Sequence, residues 1–306
     1  MDESGKATTA EALIPIVLAE KLALVGDHRQ LRPMLTANRE IEKWLRNKYK
    51  SDSDDFDSWD DYFNRPSIFE QVITRIDEDF KSQLEECRRM PEDAVLLTSK
   101  CFYEPYNERI EPIQRTRDKE HNLDLKVDSS IIFLDIGNSH KSEIDGSGSS
   151  RNKLSASYIP KLLLELDKFD KVKDYSIGII TGYTAQLREI KNIVRKELYN
   201  NQLKRIKTTD IAISVVDKFQ GLEKDIIIFD LVRSQQNTLG FLANANRINV
   251  ALSRHKKLLI IIGNYDWLVQ VKSNSTNGFT HSIPPLQKYL KEIKKEWIVK
   301  NIQQIF

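Results

Sequence analysis

The sequence has few of the features that mark secreted or membrane proteins. Only Cys87 and Cys101 are cysteines among 306 residues, which excludes a disulfide framework, and no zinc-site partners lie near them. No apolar run approaches the roughly 18–20 residues that cross a membrane. The acidic start does not resemble a signal peptide. We therefore expect a cytoplasmic protein, or a nuclear one in a eukaryote, with no membrane partner.

The charge is unevenly distributed along the chain. The net charge is +2, yet residues 51–80 hold ten acidic and two basic residues, so this segment carries −8 and the remainder +10. A basic body with one acidic insert is compatible with nucleic-acid binding. A solvated loop and ordinary surface lysines explain the same distribution equally well.

Short runs rich in Ile and Val indicate the fold class. Continuous apolar runs suit strands that are buried on both faces of a parallel sheet. Their alternation with helix-like stretches predicts an α/β fold with a doubly wound parallel sheet. The predicted strands are 22–25, 131–136, 176–181, 212–216, 225–232 and 258–263, and the predicted helices are 9–20, 67–76, 155–169, 184–199, 246–256 and 284–300. Residues 51–61 and 143–152 are predicted loops, the second flexible, and 104–128 an irregular excursion.

Two stretches near the start carry polar residues typical of phosphate chemistry. Asp2 and Glu3 are adjacent carboxylates, a pair that commonly ends a buried strand in phosphate-hydrolysing enzymes, although no strand precedes them here. ALVGDHRQLRP (23–33) reads as a strand that turns at Gly26-Asp27. Gln30 would then lie at the carboxyl edge of the sheet, where it can reach a phosphate or an attacking water. An exposed glutamine after a turn is the alternative.

VVDKFQGLEKDIIIFDLVRS (215–234) places a polar turn between two predicted strands. Gly221 permits a close backbone approach. Glu223 can accept a hydrogen bond from a sugar hydroxyl, and Asp217 and Gln220 can hold a loop or a nucleic-acid backbone. A polar connection without a binding role is the alternative.

Arginines and an aromatic residue follow other predicted strands. Arg247 and Arg254 are seven residues apart in GFLANANRINVALSRHKKLLIIIGN (240–264), which predicts one helix with both guanidinium groups on about the same face. Such arginines suit the binding of transferring phosphates. ECRRMP contributes Arg89, and TGYTAQLREI contributes Tyr183 and Gln186, which could contact a single strand. Surface exposure, packing and capping are the alternatives.

The order of these pieces resembles superfamily-one helicases of the Upf-like branch. The matching stretches are DESGK, GDHRQLRP, ECRRMP, IGIITGYTAQ, VVDKFQGLEKDIIIFDLVRS and GFLANANRINVALSRHKKLLIIIGN, from residue 2 to about 267. The resemblance implies two RecA-like domains that clamp ATP and move 5′ to 3′ along single-stranded RNA or DNA. It is carried most specifically by the last two blocks.

The resemblance also implies roles for individual residues. Asp2 would hold Mg²⁺, Glu3 would polarise the attacking water, Gln30 would sense the γ-phosphate, and Arg89 and Arg254 would be arginine fingers. Gly221, Glu223 and Arg247 would complete the cofactor-binding set, with Glu223 on the ribose or on an arginine of the clamp. Tyr183, Gln186, Asp217 and Gln220 would link the ATP cleft to the nucleic-acid track.

Several positions depart from the family pattern. Lys6 stands where the acid motif usually ends in Gln, and Cys87-Arg88-Arg89-Met90 replaces Gln-Tyr-Arg-Met. Gly182 replaces a usual Pro. Asn244 and Asn246 replace an Asp and an Arg, whereas Arg247 is kept.

The chain also contains no GxxxxGK(S/T) phosphate loop. We therefore interpret residues 1–80, with an acidic insert at about 34–63, as the carboxyl-terminal remnant of a first RecA-like domain, and 81–306 as a complete second one. The leading hypothesis is the carboxyl-terminal half of an ATP-dependent helicase, active only with a polypeptide that carries the phosphate loop. An independent nucleic-acid- or protein-binding module and a gene fragment are the alternatives. We expect no ATP hydrolysis by the chain alone, and we expect Arg254→Ala to leave folding intact.

Overall fold

A computed structural model of the protein describes residues 1–33, 67–113, 120–139, 141–200, 203–271 and 283–306. These residues form two compact units, 1–83 and 84–306. The acidic loop predicted at 51–61 and the insert at about 34–63 lie outside the described residues.

The described part of the first unit contains helices α1 (Thr9–Leu18) and α2 (Ile68–Ile73). Helix α1 begins with a capping box, since the Thr8 hydroxyl accepts from the Glu11 amide and the Glu11 carboxylate accepts from the Thr8 amide. The strand predicted at 22–25 is not a regular strand. Its backbone pairs with the chain start instead: the Val25 amide donates to the Met1 carbonyl at 2.9 Å, and the Ser4 amide to the Val25 carbonyl at 2.8 Å.

The second unit is built on a six-stranded parallel sheet, which confirms the predicted fold class. Its strand order is β10-β3-β9-β8-β6-β7. Strands β3, β6, β8 and β9 are buried almost throughout, as their continuous apolar sequences predict. The strands are β1 (Glu86–Cys87), β2 (Glu111–Pro112), β3 (Ile131–Asp135), β4 (Glu143–Ile144), β5 (Ser150–Arg151), β6 (Ile177–Thr181), β7 (Ile211–Val215), β8 (Lys224–Asp230), β9 (His255–Gly263) and β10 (Ile298–Val299).

Helices cover both faces of this sheet. The chain moves outward from β3 through β6 to β7 and then returns through β8 to β9. Right-handed crossovers therefore put α4 and α5 on one face and α6 and α7 on the other. The packing of α4 on α5 and of α6 on α7 agrees with this division. The helices are α3 (Glu92–Thr98), α4 (Lys153–Leu166), α5 (Thr184–Asn200), α6 (Val216–Phe219), α7 (Ala245–Leu252), α8 (Tyr265–Gln270) and α9 (Pro285–Glu292).

Three local predictions are wrong. The helix predicted at 284–300 ends at Glu292, and β-branched Ile298 and Val299 pair with β3 at the edge of the sheet. The helix predicted at 246–256 ends at Leu252, because strand β9 already begins at His255. The loop predicted at 143–152 contains the antiparallel pair β4–β5. Its turn is fixed by the Asp145 carboxylate, which accepts from the amides of Ser147 and Ser149.

The irregular excursion predicted at 104–128 is described only in part. It contains one turn of 3₁₀ helix at 104–106 and the short strand β2, while residues 114–119 lie outside the described part. No helix in the described ranges is long and apolar enough to cross a membrane.

Candidate functional site

The acid pair lies in a turn at the start of the first unit. The Asp2 carboxylate accepts from the Glu3 amide at 2.8 Å, and Glu3 has a φ of 51°, in the left-handed region. The following Ser4 is buried, and its hydroxyl donates to the Met1 carbonyl at 2.7 Å. Both carboxylates are thus exposed side chains on a backbone that the Met1–Val25 pairing holds in place.

Gln30 contacts another residue of its own turn. Its side-chain amide donates to the Asp27 carboxylate at 2.8 Å, and its backbone amide donates to the Asp27 carbonyl at 3.2 Å. The predicted turn is also visible in the close backbone approach at Gly26, where a Cβ would lie 2.8 Å from the Gly5 nitrogen.

The second unit brings distant residues together at the amino ends of β8 and β9, in what we call the amino-edge cluster: Arg89, Glu223, Ser253, Arg254 and Lys256. Arg89 Nε donates to Glu223 Oε2 at 2.8 Å, and its Nη1 donates to the Ser253 carbonyl at 3.3 Å. The hydrogen bond from Arg89, with the nearby Lys256, lowers the pKa of the Glu223 carboxyl. The Arg89 side chain is 32% exposed.

The spacing predicts one helix for Arg247 and Arg254, but only Arg247 lies on a helix in the structure. Helix α7 ends at Leu252, and Arg254 lies in the link to β9. Its side chain is buried and turns back onto the helix end, where Nε donates to the Val250 carbonyl at 3.2 Å. A cation is favoured there because the carbonyls of the last helical turn carry partial negative charge.

Arg247 lies at the other end of α7, beyond the carboxyl ends of the strands, in what we call the ring cluster: Tyr183, Asp217, Phe241 and Arg247. Its Nε donates to Asp217 at 3.1 Å, and its guanidinium lies over the Phe241 ring at 5.1 Å. The Phe241 and Tyr183 rings are 5.6 Å apart. The structure therefore groups Arg247 with predicted nucleic-acid residues and not with Glu223 and Arg254. The Asn244 side chain caps the helix by accepting from the Arg247 amide.

Gln186, which is predicted to link the ATP cleft to the nucleic-acid track, is completely buried in the structure. Its Nε2 donates to Asp230 Oδ2 at 2.5 Å, and its Oε1 accepts from the Asn152 amide at 2.7 Å. The amide is covered because α4 and the end of β8 supply its polar partners. A role for Gln186 in nucleic-acid binding stays a prediction. Asp230 is itself buried, and burial raises the pKa of its carboxyl to about 6.

Gln220 and Gly221 lie in the turn from α6 to β8, between the two clusters. Gly221 has a φ of +78°, which a residue with a Cβ rarely adopts. Gly182, after β6, is needed for a different reason, since a Cβ there would lie 2.5 Å from the Phe241 ring.

Family models match most of this chain. One model described as an AAA domain matches residues 65–266, and a second with the same description matches residues 1–38. The chain belongs to the AAA domain family.

Curated relatives agree with this assignment. An uncharacterized ATP-dependent helicase of Methanocaldococcus jannaschii is 30% identical over 290 residues, which is 89% of this chain and 36% of that protein. The regulator of nonsense transcripts 1 homolog of Drosophila melanogaster is 32% identical over 270 residues, 86% of this chain and 20% of its own length. The chain is thus homologous to Upf-like superfamily-one helicases, and it spans about a third or less of the length of these relatives. The solved structure of the PRRSV helicase aligns with 90% of this chain and with 37% of the length of that helicase. The sequence identity is 11% and the TM-score is 0.40.

Members of this helicase family use ATP and Mg²⁺, and the two ligands fit the described residues differently. Asp2 is a carboxylate of the type that Mg²⁺ prefers. However, no group of three or more His, Cys, Asp or Glu within the described ranges could hold a metal ion. Mg²⁺ is usually bound by one or two carboxylates together with the phosphates of the nucleotide. A guanidinium such as that of Arg89, whose side chain is 32% exposed, suits a phosphate group.

Sequence reasoning missed Phe241 and Arg233, both of which lie beside Tyr183. Two glycines in the sequence could have indicated that bulky side chains pack closely there. Gly182 takes the place of a usual proline and contacts the Phe241 ring, and Gly240 contacts the Arg233 guanidinium.

Proposed function

We propose that this chain is the arginine-bearing part of an ATP-dependent helicase or translocase that moves 5′ to 3′ along a single strand. The amino-edge cluster carries the proposal. It gathers residues 89, 223 and 253–256, which are far apart in sequence, around the guanidinium of Arg89, whose side chain is 32% exposed.

In this proposal, Arg89 exchanges its pairing with Glu223 for the γ-phosphate of ATP bound to a phosphate-loop domain. Arginines supplied in this way stabilise the charge that develops during phosphoryl transfer and raise turnover by about 10³–10⁵. Arg254 acts on the same phosphate once α7 releases its guanidinium. Glu223 is then free to accept from the ribose or to hold an arginine in place.

The proposal requires a second polypeptide or segment with a phosphate loop, because the 306 residues contain none. Asp2, Glu3 and Gln30 would contribute to that composite ATP site as Mg²⁺ ligand, water-polarising base and γ-phosphate sensor. The purified chain should therefore show no ATP turnover of its own.

Reconstitution tests this proposal. The chain is mixed with a phosphate-loop segment taken from a Upf-like relative, and phosphate release is followed with and without single-stranded RNA or DNA. We expect nucleic-acid-stimulated turnover that Arg89→Ala or Glu3→Gln abolishes. Arg88→Ala is the matched control, since Arg88 is the neighbouring arginine, pairs with nearby Glu86 and is 77% exposed. No turnover in the mixture, or turnover by the chain alone that Glu3→Gln abolishes, would contradict the proposal.

A second candidate function is single-strand binding without ATP, which the ring cluster favours. Two aromatic rings and a guanidinium that stacks on one of them resemble the platforms on which bases stack. Binding of this kind weakens with salt, by a slope of about 0.7 in log affinity for each phosphate neutralised on a single strand. Salt-sensitive binding by the chain alone, with no turnover in any mixture, would favour this function over the first.

A further inference from the structure

The carboxyl ends of β6 and β8 form a crevice in the sheet. The two strands are neighbours, yet the chain leaves β6 toward α5 on one face and β8 toward α7 on the other. Ligands of doubly wound sheets bind where adjacent connections diverge in this way. Tyr183 follows β6, and Arg233 with Phe241 follows β8, so the ring cluster and Arg233 line the crevice.

Arg233 lies in this crevice between Gly240 and Tyr183. Its guanidinium lies against Gly240, where any Cβ would overlap Nη1. Burial raises the pKa of the Tyr183 hydroxyl, and the positive charge of Arg233 opposes this increase. The buried Nε of Arg233 has no hydrogen-bond partner in the described part of the chain, whereas Arg247 is paired with Asp217. The crevice therefore combines two guanidinium groups with one carboxylate.

The backbone that presents Arg233 has an unusual conformation. Val232 has a φ of 65°, although it is β-branched, and its side chain is buried. The Arg233 amide donates to the Leu231 carbonyl at 2.6 Å, which closes a tight turn around Val232. Such strain persists only where surrounding groups hold the backbone in place, and it is concentrated at ligand-binding and switch regions.

The buried network around Gln186 supplies the groups that hold this turn. Asp230 Oδ1 accepts from the Val232 amide at 3.0 Å, and Asn152 Nδ2 donates to the Val232 carbonyl at 3.1 Å. Gln186 fixes both partners, because it donates to Asp230 Oδ2 and accepts from the Asn152 amide. Hydrogen bonds from three elements thus determine the direction in which Arg233 leaves the strand.

We propose that Arg233 contacts the phosphodiester backbone of a single strand whose bases stack on the ring cluster, and that Gln186 and Asp230 are positioning residues for it. This inference rests on the single-strand binding proposed above. It assigns Gln186 an indirect role that depends on its burial. Its ligand is the negatively charged backbone shared by RNA and DNA.

Salt titration of binding tests the contact. Affinity for labelled oligo(dT) and oligo(U) of about 12 nucleotides is measured by fluorescence anisotropy over a range of salt. Arg233→Ala should weaken binding about tenfold at low salt. It should also reduce the slope of log affinity against log salt by about 0.7. Raising the salt from 50 to 200 mM should therefore weaken binding by the variant about 2.5-fold less than binding by the wild type. Arg188→Ala is the control on α5, because Arg188 is 68% exposed and pairs with Asp145.

A rescue variant tests the positioning role. Asp230→Asn should reproduce the slope change of Arg233→Ala and should add nothing further in combination with it. Asp230→Asn/Val232→Gly should regain the wild-type slope, since glycine adopts a positive φ without the network. Crystal structures of Asp230→Asn and of Gln186→Met report the φ of Val232 directly, and we expect both to show a negative value.

Each outcome decides one part of the inference. An unchanged slope in Arg233→Ala, with wild-type binding intact, overturns the phosphate contact and leaves the proposed single-strand binding standing. A lower melting temperature in Asp230→Asn with a wild-type slope overturns the positioning role. If the wild type binds neither oligonucleotide, both the proposed binding and the Arg233 contact fail. The φ of Val232 in the two variants still decides whether Asp230 and Gln186 hold the turn.

Discussion

Two buried titratable groups should make opposite contributions to the pH dependence of stability. His255 is fully buried, with Nδ1 at 3.0 Å from the Leu252 carbonyl. Burial lowers the pKa of His255 from 6.5 to about 4, with a smaller contribution from Arg89. Burial raises the pKa of Asp230 from 3.8 to about 6, against the hydrogen bonds from Gln186, Ser155 and Val232.

The sign of each contribution follows from which state binds more protons. Between pH 4 and 6.5 the unfolded chain protonates His255 and the folded chain does not, so His255 lowers the free energy of unfolding as the pH falls. Between pH 3.8 and 6 the folded chain protonates Asp230 and the unfolded chain does not, so Asp230 raises the free energy of unfolding as the pH falls. Each change is worth about 3 kcal/mol on the conversion between pKa and free energy. The two contributions should nearly offset each other in the wild type.

Single variants should separate the two contributions. His255→Asn keeps a donor for the Leu252 carbonyl, and Asp230→Asn replaces the titrating carboxyl with an amide of the same size that does not titrate. Relative to the wild type, His255→Asn should gain about 3 kcal/mol of unfolding free energy from pH 7 to 4, and Asp230→Asn should lose about as much. Urea denaturation at pH 4, 5, 6 and 7 measures both differences. Differences from the wild type that stay constant with pH would refute the reasoning, because neither group would then titrate differently on folding.

Three further substitutions give separate outcomes. Arg254→Ala should lower the free energy of unfolding by about 2 kcal/mol and the melting temperature by about 4–8 °C, because this buried cation contacts the end of α7. The sequence alone predicts that Arg254→Ala leaves folding intact. A melting temperature that calorimetry finds unchanged would support that earlier prediction and contradict the present one. Arg89→Ala should cost less than about 1 kcal/mol, since its ion pair is partly exposed, yet it should abolish turnover in the reconstituted mixture. Gly182→Ala should displace the Phe241 ring and weaken single-strand binding, whereas Gly146→Ala has open space around the added Cβ and should not.

The fold could be predicted well because its evidence is local. The runs that form β3, β6, β8 and β9 are apolar throughout, and such runs are stable only when helices cover both faces of the sheet. The edge strand β10 was missed because two residues give no detectable period. Its position depends on pairing with β3, far away in the sequence.

The candidate site could be predicted only in its residue types. Spacing suggested one helix through Arg254, but the end of α7 depends on where β9 begins, which no helical pattern reveals. A glutamine after a strand suggested an exposed ligand, but Gln186 is buried because Asp230, 44 residues away, accepts its hydrogen bond. The chemical character of a residue is visible in the sequence, whereas its exposure is decided by partners from other elements.

The strand order has a consequence for synthesis of the chain. Strand β3 lies between β9 and β10, so both of its neighbours are made after every other strand of the sheet. At about 5–20 residues per second, β3 waits on the order of 10 s for its first partner. During that time IIFLD is an unpaired apolar segment of the kind that chaperones bind and that aggregates readily. We expect stalled nascent chains to protect this segment from proteolysis only once β9 has left the ribosome, and earlier protection would contradict this order of assembly.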